Sequence, residues 1–578
     1  MSLPRFVAWI FLLAVWLGVA TAAAGSREPQ VKLDGDTVVI TGEQIRRLSV
    51  HALDELLSLI PGVKAAGNHV SIRGSYKVKV LLDGMSLRDP ASGGLRLNLV
   101  PFQQLRKVVV KKGGGSVAYG DDSSGGVILL YTRRMEKTRY YLEASGGKFN
   151  YQNYKANLSY ARDAWGLALS GEYYYSDRFR RNYDKERIRG GLKLSYRPPG
   201  WQGTPPTLSL DLGRENRGNP GYLKYPTPHS RSRDDSLGVS LAWSEKELAS
   251  STSVTRFYSQ SLNPDAGFES TLESWNLRQD LRTTLEAPWL GKLNCGVLLN
   301  LSQGRGSDFD SRQEQSYGLF AHKTVEFQVL PVSLQLGIRA NFYSEYQTVL
   351  NPEMRLGWKL GRLNLKASAV KSNNVPSFRQ RYFRTRTLIP NPDLGPEEGV
   401  SYTLGVSARL LKGLSGDLTL FHREIKDRIS YVRGDGGVGQ YRNAGRTRTQ
   451  GMELALAYKP MKWLELRPSY TYLQALNLDT GLWMVGKPRH KVKVDLVLRP
   501  WPRFMLGFLY TYSSEIYTRW DNQERADAYQ RLDLRSEYRF DAWRIFASVR
   551  NLLDEEYFYG DGYPASPLSW IMGVSREF

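Results

Sequence analysis

Six histidines, one cysteine and a run of three glycines are the residues of this chain most easily recruited to catalysis, and their spacing does not serve it. His51, His69, His229, His322, His422 and His490 show no spacing that sets two imidazoles on one metal. Cys295 stands alone, which excludes an internal disulfide and a thiolate-rich zinc site. Gly113-Gly114-Gly115 lacks the Gly-Lys-Ser/Thr of a phosphate loop and reads as a tight turn needing positive φ. Charge offers more. Arg379, Arg381, Arg384 and Arg386 alternate with Phe378, Tyr382 and Phe383; Arg214, Arg217, Lys224, Arg231 and Arg233 accompany Tyr222, Tyr225 and His229. Cations interleaved with rings suit an anionic, partly aromatic chelate. They also suit lipopolysaccharide phosphates or plain solvation, and would suit nucleic acid in a chain that stayed inside the cell.

The start of the chain assigns an export route. Arg5 precedes an apolar run from Phe6 to Val19, too short for a comfortable membrane span, and Ala22-Ala23-Ala24 supplies small residues for cleavage before Gly25. Residues 1–24 therefore read as a secretory signal peptide rather than an anchor helix. With 79 Lys+Arg against 57 Asp+Glu the net charge is +22, and 34 Tyr, 14 Trp and 54 Gly accompany 41% hydrophobic residues. Intrinsic disorder is excluded by the aromatic content. A bundle of membrane helices is excluded because long apolar runs do not recur.

Two textures follow, dividing near residue 135. Residues 25–36 form a short N-terminal segment, and 37–134 carry mixed signals of a small α+β globule. Val38–Ile40, Lys77–Leu82 and Lys107–Val110 read as strands. Gly42–Ile60 reads as one helix, with Ile45, Leu48, Leu53, Leu56, Leu57 and Ile60 apolar and Pro61-Gly62 as its stop. Residues 135–578 alternate polar and apolar strand after strand. Val492, Val494, Leu496 and Leu498 oppose Lys491, Lys493 and Asp495; Leu532, Leu534, Tyr538 and Phe540 oppose Arg531, Asp533, Arg535, Glu537 and Arg539. Such a sheet must close to hide its edges. The prediction is an all-β transmembrane barrel of about 22 antiparallel strands, apolar outside and polar inside. Connections alternate short (162–165, 359–362, 459–462, 500–503) and long (176–186, 214–235, 371–399, 430–449, 551–566), as expected of a periplasmic and an outer rim. A barrel that wide needs a plug, and the globule at 37–134 has the size for it. In their strands Glu397 and Glu453 fall on the inward face.

Several segments resemble landmarks of the TonB-dependent outer-membrane receptors. In the globule they are Val39–Ile45, Leu53–Val63, Ser71-Ile72-Arg73-Gly74, Val80–Gly84 and Lys107–Val127. In the barrel they are Asn391–Glu397, Gly451-Met452-Glu453 and Val549–Asp554. The Glu-Val-x-Arg-Gly-Pro usual in the family is replaced by Val109-Val110-Lys111-Lys112-Gly113-Gly114.

The resemblance implies a plug domain inside the barrel and energy-coupled uptake of a scarce metal chelate or cofactor, a ferric siderophore or a cobalamin-type corrinoid. It implies TonB as partner, contacting Asp36, Thr37, Val38, Val39 and Ile40, a segment that overlaps the plug's first strand. It makes Arg73 and Lys112 the cations that pair with Glu397 and Glu453 in a plug-to-wall latch, against the simpler reading of independent lumen charges. It places the ligand on the outer loops and plug apex, with Arg88, Tyr222, Tyr225, Arg379, Arg381, Tyr382 and Arg384 as candidate contacts. No resident cofactor, bound metal or enzymatic activity is expected. The expected setting is the bacterial outer membrane, as a monomer among lipopolysaccharide and lipid. The rival reading is a gated or passive channel not coupled to TonB.

Overall fold

The computed structural model describes residues 32–578 except 35, 49, 288–290, 328, 386, 434–437 and 561. The predicted signal peptide and Arg386 lie outside the described residues. Twenty-two antiparallel strands form one closed barrel from Arg139–Gly147 to Ser569–Glu577, and the last strand pairs with the first, Ile571 opposite Gly147 and Glu577 opposite Tyr141. Alternation sets the faces. In the strand Tyr529–Phe540, Asp533, Arg535 and Glu537 are buried toward the lumen while Tyr538 is exposed outward. In the last strand Trp570, Met572, Val574 and the terminal Phe578 are exposed. Arg576 shares their face, but its guanidinium lies 4.9 Å from the Trp543 ring and 4.8 Å from the Phe578 ring. The rings shield the charge instead of leaving it to hydrocarbon.

The rims differ as the connection lengths predict. Turns 163–164, 361–362, 412–413 and 541–542 lie on one rim; loops 177–184, 219–230, 375–396, 427–446 and 551–568 lie on the other. The segregation is not strict, since 148–150 and 307–308 are short connections on the long-loop rim and 197–206 is a long one on the other. The expected loop 214–235 is about half strand. The strands Thr207–Gly218 and Arg231–Glu245 take up both of its ends and leave only 219–230 as loop.

Inside the ring sits the plug. Its strands are β1 (Lys32–Asp34), β2 (Thr37–Thr41), β3 (Val63–Ala66), β4 (His69–Ile72), β5 (Val78–Leu82), β6 (Met85–Ser86), β7 (Leu105–Lys111) and β8 (Gly126–Thr132). Six of them form a sheet in the order β1-β2-β7-β8-β5-β6, with β5 and β8 parallel; β3 and β4 make a separate hairpin. Val78, Val80, Val108, Val110 and Ile128 from the sheet pack with Leu56, Leu57 and Ile72 in one core.

Two expectations change here. The N-terminal segment is not free up to residue 36, because β1 pairs with β2, Leu33 opposite Val38. The single helix over 42–60 is two, α1 (Gly42–Arg47) and α2 (Leu53–Ser58). Helical geometry explains the break. Leu48 and Leu53 are both buried, yet five residues turn a continuous helix about 140° past a full revolution. The chain bends so that both can face the core; Thr41 opens α1 as a capping-box N-cap with Gln44, whereas α2 starts after Ala52 with no side-chain cap.

Candidate functional site

The tightest charge cluster ties plug to wall. Glu453 points inward from the strand Thr447–Met461. The turn after α2 brings Gly62 so close that a Cβ there would lie 1.7 Å from Glu453 Oε1; Gly62 also has φ +73°. Arg73, left-handed at φ 48°, follows β4, and its N–H donates to the Gly62 carbonyl at 2.8 Å. Its guanidinium forks onto Glu453, Nε to Oε1 and Nη2 to Oε2, both at 3.1 Å. Lys112, at the end of β7, reaches Glu453 Oε2 at 2.5 Å. Asp36 completes the group by accepting from Arg73 Nη2 at 2.8 Å, while its carbonyl accepts from Lys112 N–H at 2.8 Å. All four side chains are largely removed from water. Burial works against the charged Arg73, but Glu453 and Asp36 outweigh it and hold its pKa above the usual value. The Phe421 ring lies 4.5 Å from the same guanidinium.

Of the four latch candidates the structure joins three. Glu397 stands apart. It accepts from Asn374 Nδ2 and from the Ile429 N–H, both at 2.9 Å, and its plug contact is Lys77 at 3.9 Å. Its position explains this: Glu397 opens its strand at the end of the long loop 375–396, whereas Glu453 lies well inside its own strand. Among the five coupling candidates, Asp36 belongs to the Glu453 cluster, and Thr37, Val38, Val39 and Ile40 form β2, hydrogen-bonded to β1 on one side and β7 on the other.

The ligand candidates fall into separate groups. Ser377 caps the short helix Phe378–Tyr382. There Arg381 is buried on Glu314 (2.5 Å), the Pro392 carbonyl (2.6 Å) and Tyr346 (3.2 Å), which makes it a loop anchor. Tyr382 leans on Phe309 and Phe378, whereas Arg379 and Arg384 are exposed. Tyr222 packs against Tyr563 at 4.6 Å and Tyr225 is open to solvent. Arg88 pairs with Asp122 at 3.1 Å and lines a cavity of about 90 Å³ with Lys79, Asp121, Arg278 and Tyr343. In the second basic stretch the arginines hold carboxylates: Arg214 and Arg233 share Asp235, Arg217 meets Asp234, and Arg231 meets Asp184, while Lys224 lies 5.8 Å from the Tyr225 ring.

Wall cations that donate to plug main-chain carbonyls are the part sequence reasoning missed. Arg539, Arg499 and Arg535 satisfy the carbonyls of Arg46, Arg47 and Leu48 at the end of α1. Lys493 satisfies Ser58, Ile60 and Val63. Lys155, Arg189, Arg282, Arg339, Arg355 and Arg423 reach His51, Leu99, Ala118, Val117, Gly114 and Ser124. Side-chain pairs add to these. Lys193 meets Asp83 in the β5–β6 turn at 2.6 Å, and Arg96 bridges Asp89 and the wall's Asp234. Inward alternation announced the cations; their carbonyl partners carry no side-chain signal.

A plug thus sits inside the closed barrel and is clamped to its wall by buried ion pairs. The sequence matches the family profile of TonB dependent receptor-like β-barrels over residues 111–552 and that of the TonB-dependent receptor plug domain over residues 29–127. The chain belongs to the TonB-dependent receptor family and is an outer-membrane protein. Similar solved structures include a mutant ferric enterobactin receptor (PfeA) from Pseudomonas aeruginosa in complex with enterobactin, at 17% identity and TM-score 0.78, covering 95% of this chain and 100% of that one. The siderophore receptor PirA from Acinetobacter baumannii matches at 16% identity and TM-score 0.78, covering 94% and 98%. The siderophore receptor PiuA from Acinetobacter baumannii matches at 14% identity and TM-score 0.75, covering 95% and 98%.

Proposed function

We propose that this receptor imports an iron chelate of the siderophore type and draws the energy for opening from the TonB transducer. The observation that carries the reading is the seating of the plug. Glu453 holds Arg73 and Lys112 together, and wall cations hold main-chain carbonyls around the ring. A bulky cargo cannot pass unless that seat is disturbed, and the outer membrane holds no nucleotide triphosphate to do it. Work must arrive mechanically from the periplasmic side. The solved structures with this fold that are named above are receptors of ferric enterobactin and other siderophores, which favours an iron chelate over a corrinoid. Strand addition by the transducer at the edge of the plug sheet is the proposed contact. β1 is that edge, with β2 behind it.

The test is uptake of labelled ferric chelates and of labelled cobalamin by cells with and without the receptor, each with and without the transducer. Receptor-dependent and transducer-dependent entry of a ferric chelate supports the reading. Entry of cobalamin alone would move the cargo to the corrinoids, and entry independent of the transducer would favour a channel.

A further inference from the structure

Three lysines on three different elements stand at the outer end of the lumen with no carboxylate at ion-pair distance among the described residues. Lys64 lies on β3 of the plug, Lys487 in the loop 478–489, and Lys491 near the outer end of the wall strand His490–Leu498. Lys64 is within electrostatic reach of both of the others. Lys487 packs along the plug turn at Gly74, whose added Cβ would meet its Cδ at 3.3 Å, and its Nζ lies 4.1 Å from the centre of the exposed Tyr76 ring. Lys64 Nζ lies 5.7 Å from the Tyr559 ring, also exposed. Tyr559 meets Tyr557 edge-on at 5.3 Å, and Tyr557 stacks on Tyr529 at 4.0 Å. Nearby Arg531 pairs with Asp533 at 2.9 Å.

Like charges gathered in a half-buried corner repel one another, so the free protein sustains this arrangement at a cost. Burial, then Lys64, Arg423 and Arg428, push Lys487 down to about 7. An anion entering the corner relieves the repulsion and completes the complementarity. The arginines elsewhere on the outer rim offer less, since Arg381, Arg214, Arg231 and Arg233 already hold carboxylates.

We propose that Lys64, Lys487 and Lys491, rimmed by the rings of Tyr76 and Tyr559, form the subsite that holds an anionic, aryl-bearing iron chelate. The inference rests on the function proposed above and names its substrate class. Because Lys64 belongs to the plug and the other two to loop and wall, the bound anion bridges the moving and the fixed part. It also sits one inward residue along the strand from Lys493, which clamps the carbonyls after α2. Binding draws a proton onto Lys487, so affinity weakens as pH rises through about 7.

The experiment uses the purified full-length receptor and two probes, the trianionic iron(III) tris-catecholate complex and a neutral iron(III) trihydroxamate, with binding read by quenching of intrinsic fluorescence. The triple variant K64Q/K487Q/K491Q should lose about tenfold or more in tris-catecholate affinity and change little toward trihydroxamate. The triple Lys→Arg variant should retain tris-catecholate binding but lose the decline seen from about pH 6 to about pH 8 in wild type. K359Q/K412Q/K462Q, three lysines at the far rim, controls for net charge. Equal tris-catecholate affinity in wild type and the Gln triple would remove the subsite and leave the uptake reading standing. Equal loss for both probes without rescue by arginine would make the lysines structural and also overturn it. A wild-type receptor that binds neither probe, and imports neither in the uptake assay, would overturn both the subsite and the iron-chelate reading.

Discussion

Glu453 carries two cations on one carboxylate, and the asymmetry of the cluster decides how each member behaves when removed. Glu453→Gln leaves Lys112 with the Pro61 carbonyl at 3.5 Å as its remaining plug contact, while Arg73 keeps Asp36 at 2.8 Å. The lone buried lysine dominates the cost, about 3–5 kcal/mol in a dry seat and ~0–1 kcal/mol if water reaches it. Glu453→Gln should therefore loosen the plug, read as ion conductance in planar bilayers, and adding Lys112→Met should restore more of the seal than adding Arg73→Gln. Additive single effects in the double-mutant cycle would show that the charges act independently. His51 gives the residue scale a pH dependence. It is buried, stacked on Phe546 with ring centroids 4.0 Å apart, and its Nδ1 has no hydrogen-bond partner among the described residues. Burial, with Arg544 and Lys155 adding to it against Glu143, holds its pKa well below the usual histidine value. A depressed base binds fewer protons folded than unfolded, so stability is full above about pH 6.5 and falls as pH drops below it, by up to about 1.4 kcal/mol per unit. Plug release measured against pH should show that slope, and His51→Phe should flatten it.

At the scale of the element, β2 shows why local pattern misleads. Val38-Val39-Ile40 has the extended, apolar character of a segment that adds to another protein's sheet, and in this fold that character is spent internally. Val38 is 1% exposed and lies between Leu33 of β1 and Val110 of β7. Val38→Pro deletes an N–H from an interior strand, so ligand binding and uptake should both fall. Leu33→Pro, in the edge strand, leaves the β2–β7 ladder in place and should reduce uptake while binding to intact cells stays near wild type. Equal loss of binding in the two variants would show that β1 serves plug stability and not coupling. The same scale shows what was legible. Barrel strands such as Arg531–Phe540 declare their two faces because lipid and lumen demand opposite chemistry at alternate residues. The plug's β8, Gly-Val-Ile-Leu-Leu-Tyr-Thr, is buried on both faces and offers no alternation, so periodicity does not mark it as a strand. The Glu453–Arg73–Lys112 contact was legible through family motifs, whereas Asp36 joined it through a backbone turn that side-chain patterns do not encode.

For the whole molecule, the net charge of +22 has a structural destination. Part of the excess faces the loops, but Lys155, Arg189, Arg282, Arg339, Arg355, Arg423, Lys493, Arg499, Arg535 and Arg539 point inward and end on plug carbonyls. A carbonyl accepts a hydrogen bond without cancelling charge, but seven of these ten also hold a wall carboxylate: Glu143, Asp211, Asp280, Glu353, Glu465, Asp495 or Glu537. Among the described residues the uncompensated charge of the set rests on Arg339, Arg423 and Lys493, whose plug partners are carbonyls. Deleting residues 32–134 tests this directly. The barrel should still close, because the pairing of Arg139–Gly147 with Ser569–Glu577 lies outside the deletion and the outward apolar face is untouched. The emptied lumen fills with water, and the released cations lose their acceptors and line an open pore. Rings of basic side chains favour anions, so the deleted protein in planar bilayers should show large, steady conductance with a reversal potential on the chloride side under a salt gradient. Restoring the plug in trans, if it reseats, should reduce that conductance. Cation selectivity in the deletion would mean that inward carboxylates such as Asp211, Asp280 and Glu353 dominate the pore, and the account of the basic excess as a plug-holding surface would then fail.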